Sequence, residues 1–463
     1  MSKPKEYSSM TKDKLMTYTF VALVILAIIT TVMWWGVVTK DPTGNVVGWQ
    51  YGYAVVLNCV IAVAVAVGID ALLHKVASDS PLNIMSAAVF GMIVALSYTL
   101  GIPQMNTGEI LPLVAPDCFI YVAVISVVGM VLFKKIQGLK GRKYVNPAAA
   151  AKLLVFALVG LFTILIPTDH LKSSALGVPS LAGPVGYDVI GGNGLAGFGF
   201  YVYTCFANPT LKLPTTVSQG DVFNLLIFDK FHGWIGGASS LAVIIVGIAL
   251  FVLARRYIKW RITAAYFVSV VIMSVILNYA YPGGDLLLRL GFELFIGSSI
   301  FLAFFMATDP ATTPLTYLGQ IIFGVGLGVL TVLIQSYMSF FGGSILALVV
   351  MNLTSPFLDK VGKLHPITEK KEPTLPKAKQ FATIKTTQCI RCGACMRMCC
   401  HKLSPILIKE AFDKNNVDKL AKLQADLCEG CGHCSFVCPA RIDLKGSTLR
   451  AKVLLRKKIE AST

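Results

Sequence analysis

Charge is scarce in this 463-residue chain: Asp, Glu, Lys and Arg make up 14% of it, against 55% hydrophobic residues and a mean hydropathy of +0.70. Soluble domains carry about a quarter charged residues and about 45–50% apolar ones. That balance excludes an ordinary soluble fold and indicates an integral membrane protein. Acids are scarcer than bases, 24 against 41, for a formal net charge of +17. The basic residues lie in the connections between apolar runs and in the tail, where the positive-inside rule puts them, so nucleic-acid binding is set aside. Cysteine is almost missing before residue 389: only Cys59, Cys118 and Cys205 occur there, and the first two sit in apolar runs, where they read as small hydrophobes. A glycine-rich nicotinamide fingerprint is missing too, since the lone pair Gly191-Gly192 does not make one. The opening MSKPKEYSSMTKDK lacks a small-residue cleavage site and leads into an apolar run too long for a signal-peptide core, so a retained first span is expected.

Cysteine is concentrated instead in the tail. CIRCGACMRMCC is followed 28 residues later by CEGCGHCSFVCP, and both carry the spacing C-x2-C-x2-C-x3-C. That is the ligand pattern of two [4Fe-4S] clusters, in which three close thiolates hold one cubane and the fourth reaches across to the other. Cys389, Cys392, Cys395 and Cys438 are assigned to one cluster, and Cys428, Cys431, Cys434 and Cys399 to the other. Zinc would want two separated pairs, and disulfides an oxidising compartment. Cys400 stands where such motifs have proline and is expected to be a spare thiol. Gly393, Gly430 and Gly432 suit a chain folding tightly round sulfurs. Between the groups, Ser404 before Pro405 caps one helix and Asn415-Asn416 separates it from a second, so the cluster domain is expected to be mostly helical.

Ten apolar windows have roughly the 20-residue length a bilayer crossing needs: 17–38, 51–73, 84–100, 112–133, 148–167, 235–254, 262–280, 286–307, 317–336 and 341–358. An even number puts both termini on one side. Lys134, Lys135, Lys140, Arg142 and Lys143 in one connection, and Arg255, Arg256, Lys259 and Arg261 in another, make that side cytoplasmic. Residues 168–234 form a long non-cytoplasmic loop, residues 359–388 a linker, and residues 389–463 the cytoplasmic cluster domain. The basic tail suits docking of an acidic electron carrier or another protein of a complex.

Within the spans, the glycines of GVGLGV (324–329) read as close helix packing. Asp70, Asp117, Arg289 and Glu293 are ionisable, and such residues tend to mark pathways, although Arg289 and Glu293 are spaced to pair on one helix face. Two polar boxes stand at span ends, KKIQGLKGRKYVNPAAAA (134–151) and FFMATDPATTPLT (304–316). Asn146-Pro147 and Asp309-Pro310 are good helix caps, while their exposed N–H groups and the hydroxyls of Thr308 and Thr312 also suit a flavin. Their placement after the fourth and eighth spans suggests a duplicated five-helix unit with a site at the repeat interface.

At these residues a resemblance becomes specific. GFELFIGSSIFLAFFMATDPATTP, the later VVMNLTSPFLD and the NPA box at 146–148 resemble the RnfD/NqrB family of membrane flavoprotein subunits, and the tail resembles the two-cluster domain of the peripheral subunit RnfC. The resemblance implies an all-α integral membrane protein, with ten transmembrane helices in two five-helix repeats fused to a 2x[4Fe-4S] ferredoxin domain. It implies a subunit of a redox-driven ion-translocating complex that passes electrons from a cytoplasmic donor, a ferredoxin or an NADH-oxidising subunit, to membrane flavin, with Na+ or H+ movement coupled to it. Family members join FMN to a threonine within a motif like S-G-A-T. Here FANPTLKLPTT offers Thr210, Thr215 or Thr216 without that lead, so covalent FMN, noncovalent flavin and quinone all stay open. The alternative is a noncatalytic anchor that tethers a ferredoxin module beside a quinone-reducing partner.

Overall fold

The computed structural model describes residues 10–40, 49–76, 82–98, 117–137, 143–165, 234–280, 286–338 apart from 296, 343–362 and 386–462, with a few short segments between them. Nearly all of this is helix. Helices α1 (Lys12–Met33), α2 (Tyr51–Val76), α3 (Ile84–Leu96), α4 (Asp117–Val128), α5 (Pro147–Leu165), α6 (Ser240–Leu253), α7 (Trp260–Ala280), α8 (Leu286–Phe295), α9 (Gly297–Phe301), α10 (Tyr317–Met338) and α11 (Gly343–Val361) build the apolar part. Among the described residues six helical stretches are long and apolar enough to cross a membrane: Lys12–Met33, Tyr51–Val76, Cys118–Ile136, Trp260–Ala280, Tyr317–Ser336 and Ser344–Val361. The α8–α9 pair would be a seventh, bent by 49°, and α3, α5 and α6 contribute shorter apolar helices. Each of the ten apolar windows in the sequence therefore contains one of these elements.

The residues explain the ends. Thr11 caps α1 by accepting the Lys14 N–H, so the helix begins at Lys12, before the apolar window does. Asn83 and Ser239 cap α3 and α6 in the same way. The fourth and eighth windows each end in a π-helical stretch, Gly129–Ile136 and Leu302–Met306. Such turns break the regular ladder and are frequent at functional sites.

Apolar side chains at three- and four-residue spacing stay exposed along several helices: Val21, Ile25, Ile28 and Val32 on α1, and Val268, Ile272 and Ile276 on α7. A stripe like this is costly in water and natural against lipid. Inward faces pack through small residues. A Cβ added at Gly324 would lie 2.5 Å from the Ile262 carbonyl oxygen, and one at Gly328 would lie 2.8 Å from that of Tyr266. The glycines of 324–329 thus bring α10 against α7, the close-packing reading of that motif.

Short two-stranded ladders qualify the all-α expectation. The one with a consequence pairs Glu6–Ser8 antiparallel with Ala378–Gln380. It ties the start of the chain to the segment expected to be a linker. The tail then folds as α12 (Ala394–Arg397), α13 (Pro405–Asp413), α14 (Val417–Lys422), α15 (His433–Phe436) and α16 (Leu444–Ser462). Pro405 opens α13 after Ser404, Asn415 takes a left-handed φ of 49°, and Asn416 caps α14 through the Lys419 N–H.

Candidate metal centres and their contact with the membrane domain

The tail repeats itself with a period of 39 residues, the offset between Cys389 and Cys428. Left-handed backbone occurs at Arg391, Gly393 and Lys402, and again at Gly430, Gly432 and Arg441. Each half thus turns sharply at the same distances from its first cysteine, and α12 and α15 are the same short helix in the two halves. Three of these six positions are glycine, for which the left-handed region carries no Cβ penalty.

The turns gather the cysteines into two hollows. One is lined by Cys389, Cys392, Cys395 and Cys438, with Ile406, Ile442 and Leu444 as apolar wall. The other is lined by Cys399, Cys428, Cys431 and Cys434. Cys438 of the second half thus lies with the first three cysteines, and Cys399 of the first half lies with the second three. Backbone N–H groups point at the sulfurs: Arg391 donates to Cys389 Sγ and Leu403 to Cys399 Sγ, both at 3.3 Å. Burial pushes the Cys438 thiol up to about 12 and the Cys395 thiol well above its usual range. Neighbouring cysteines add to the rise at Cys395. Four sulfurs packed this way become thiolates only around a cationic centre, and four soft thiolates with N–H donors are the donor set of an iron-sulfur cubane. The residues fit that group.

Cys400 also lines the second hollow. Its Sγ lies 3.1 Å from His433 Nδ1 and 3.6 Å from Cys431 Sγ, which makes Cys400, Cys431 and His433 a compact group of possible metal ligands. Nothing in the linear spacing brings residue 433 to residue 400, so the histidine is invisible as a site residue until the chain is folded.

The polar boxes meet each other. Asn146 Nδ2 donates to the Met306 carbonyl at 3.2 Å, while its Oδ1 accepts from Ala148 and Ala149 as the cap of α5. Thr308 Oγ1 donates to Phe304 O and Asp309 Oδ1 accepts from the Ala311 N–H. These bonds are local capping and turn bonds. Thr312 is fully buried and its hydroxyl has no partner within hydrogen-bond distance, which leaves a buried polar atom at this box without a hydrogen bond. Thr210 and Thr215, the candidate attachment points, lie outside the described residues.

In the sequence Lys259 looks like a topogenic charge and nothing more. It is buried, and its ammonium donates to Pro310 O at 3.0 Å and to Thr313 O and Oγ1 at 2.9 Å, holding the second box in shape. Burial pushes its pKa down to about 7, with Asp359 opposing. Lys152, one turn into α5, is likewise buried, bonded to the Ser97 carbonyl and 5.0 Å from the Trp234 ring. Of the ionisable residues singled out in the spans, Asp70 is paired with Lys135 at 2.5 Å and accepts the Asn83 N–H, while Arg289 and Glu293 are both buried on α8. The side chain of Asp117 lies outside the described residues.

The tail rests on the end of the membrane domain that carries these boxes. Leu315 packs with Cys395, Met396 and Cys438, while Leu15, Ala254 and Tyr257 pack with Ile390, Cys392, Ala394 and Val437. The Lys12 N–H donates to Pro439 O at 3.0 Å, and the Tyr257 hydroxyl lies 3.3 Å from Ser8 Oγ and 3.5 Å from Val437 O.

Known proteins share this chain's membrane part. It is 27% identical over 335 residues to a subunit of the Na(+)-translocating ferredoxin:NAD(+) oxidoreductase complex of Acetobacterium woodii, covering 72% of this chain and 89% of that one. It is 26% identical over 338 residues to a subunit of the ion-translocating oxidoreductase complex of Actinobacillus pleuropneumoniae, covering 71% and 91%. It is 25% identical over 340 residues to a subunit of the proton-translocating ferredoxin:NAD(+) oxidoreductase complex of Clostridium ljungdahlii, covering 71% and 88%. The cysteine groups lie beyond the family match. With residues 4–367 matching the NQR2, RnfD, RnfE family, the chain belongs to that family.

Proposed function

We propose that this chain is a membrane electron-transfer subunit of an Rnf/Nqr-type redox complex, in which two [4Fe-4S] clusters in the tail take electrons from a cytoplasmic donor and membrane flavin or quinone accepts them. The observation that carries the reading is the sorting of eight tail cysteines into two four-cysteine hollows, joined in one chain to a membrane domain of this family. Bound clusters supply one-electron redox chemistry. The chain's own residues hold them, turn N–H groups toward the sulfurs and keep Cys395 and Cys438 from water. In this reading residues 1–358 are a ten-crossing membrane domain, 359–388 a connection and 389–463 a cytoplasmic two-cluster domain, with both termini cytoplasmic. It acts within a larger complex, and coupling to Na+ or H+ movement is supported by the names of the relatives.

Flavin is proposed at the joined boxes, with Asn146, Thr308, Asp309 and Thr312 near it, or on the outer segment at Thr210 or Thr215. The local capping bonds of the boxes favour the alternative, a noncatalytic anchor. Iron and flavin analysis of the purified chain separates the two. About eight irons per chain are expected from two cubanes, together with a reduced-cluster EPR signal and, on intact mass measurement, an added flavin phosphate or releasable flavin. Iron without any flavin would leave the anchor, and no iron after anaerobic reconstitution would sink both.

A further inference from the structure

We propose that the two hollows are ordered: the one lined by Cys389, Cys392, Cys395 and Cys438 hands electrons to the membrane domain, and the one lined by Cys399, Cys428, Cys431 and Cys434 receives them from an acidic one-electron carrier protein. This rests on the reading of both hollows as cluster sites.

The hollows have different surroundings. The first is packed against the membrane domain through Cys392, which shares an apolar cluster with Leu15, Ala254 and Tyr257; Cys395 and Cys438 share another with Leu315, in which Cys434 is the one cysteine of the second hollow. A polar link runs alongside. Arg391, between two cysteines of this hollow, has Nη2 3.8 Å from Asp359 Oδ2 at the end of α11, and Asp359 Oδ1 accepts the Leu315 N–H at 2.6 Å. The same guanidinium holds Glu410 of α13 through Nη1 at 2.5 Å. One side chain thus fastens the first hollow to the tail's own helix and to the box at 304–316. Cys389 leaves one edge of it exposed.

The second hollow is turned to the tail's own helices and to solvent. Cys399 and Cys428 pack with Leu403, Leu420 and Leu455 of the tail, and Cys431 is exposed. Lys445 lines it, and Lys402 is exposed beside it. Glu429 is the acidic residue of its lining, and it is paired with His401 at 3.1 Å. The tail as a whole has fourteen basic and seven acidic residues from 389 onward. A basic rim around an exposed redox site steers an acidic protein to it. Each transfer oxidises the carrier by one electron and reduces a flavin-class acceptor in the membrane domain by one; no bond is made or broken. Electron tunnelling falls off steeply with distance, so the hollow nearest the membrane domain is the handover point.

The test uses the full-length chain in detergent. A Cys428→Ala/Cys431→Ala variant keeps only the first site and a Cys389→Ala/Cys392→Ala variant only the second. Mixed with a reduced two-cluster ferredoxin, an acidic carrier, the first variant should be reduced about tenfold more slowly than wild type, while small dithionite reduces it at the wild-type rate. In the second variant the remaining cluster should keep the fast reaction with the ferredoxin, but the electron should no longer pass on to the membrane acceptor. Equal rates in the two variants would overturn the order. The unmodified chain provides a measurement that needs no variant to fold: a soluble dysprosium chelate should speed the relaxation of one cluster's EPR signal and spare the other's. Asp359→Ala should remove that protection and Asp359→Glu restore it. Equal relaxation of both signals in wild type would refute the docking. Iron well below eight in the wild-type chain defeats the cluster reading itself, whereas full iron with equal rates defeats only the order.

Discussion

Lys259 shows how much one side chain decides here. Its ammonium meets three acceptors in the 310–313 turn, two of them backbone carbonyls. Lys259→Met leaves those acceptors buried and unpaired, at about 1–3 kcal/mol for each group lost, so the thermal midpoint should fall while the iron content of the tail stays unchanged. The same lysine predicts a pH effect. Its folded pKa is lowered to about 7, so between that value and the ordinary lysine range the unfolded chain holds the extra proton. Stability should therefore rise with pH from about 7 to about 10 in wild type relative to Lys259→Met, and the difference should be flat below 7; parallel melting curves across that window would refute it. Asp309 is the milder case. Its Oδ1 accepts from Ala311, and asparagine caps about as well as aspartate, so Asp309→Asn should alter stability by no more than about 0.5 kcal/mol. If a flavin lies against this box, the same change should raise its potential, because a negative charge disfavours the reduced anion, or lower its occupancy. Unchanged flavin content and potential would leave capping as the sufficient role.

At the scale of elements, the two 39-residue halves of the tail are each incomplete. The α12 half supplies three cysteines to its own hollow and its fourth to the other; the α15 half does the same. Cys438→Ser should therefore damage the site of Cys389, Cys392 and Cys395 and spare the site of Cys428, Cys431 and Cys434, as read by EPR on the reduced protein. Loss confined to the second site would mean that the ligation is not crossed. Cys400→Ser should keep about eight irons, since Cys399 already completes the second set, although its thiol lies close enough to Cys431 for the EPR line shape to shift. A halved iron content would make Cys400 the ligand and displace Cys399.

For the whole molecule, the strand pair of Glu6–Ser8 with Ala378–Gln380, the Lys12 to Pro439 hydrogen bond and the Leu315 contact all fasten the tail to one end of the helices. That end also holds Lys143, within electrostatic reach of Lys12, and Lys259, which bonds the 310–313 turn. Single-cysteine labelling in sealed vesicles should therefore find the tail and 134–143 on the cytoplasmic side and 168–234 on the other. A tail labelled from outside would reverse the orientation and reopen the possibility of disulfides.

The sequence by itself was enough for the ten apolar windows, the two cysteine quartets and the break at Asn415-Asn416, because each of these is written in local spacing: bilayer-length hydropathy, thiolate intervals, turn residues. The expectation of a crossed sorting of Cys399 and Cys438 also comes from the spacing, because in such paired motifs the fourth cysteine serves the other cluster. What only the tertiary structure decided are contacts between residues far apart in sequence. Cys400 meets His433, Asn146 meets Met306, Lys259 reaches the 310–313 turn, and Arg391 faces Asp359. A buried ammonium and a topogenic surface lysine look alike in a sequence; they differ in which carbonyls surround them, and packing sets that.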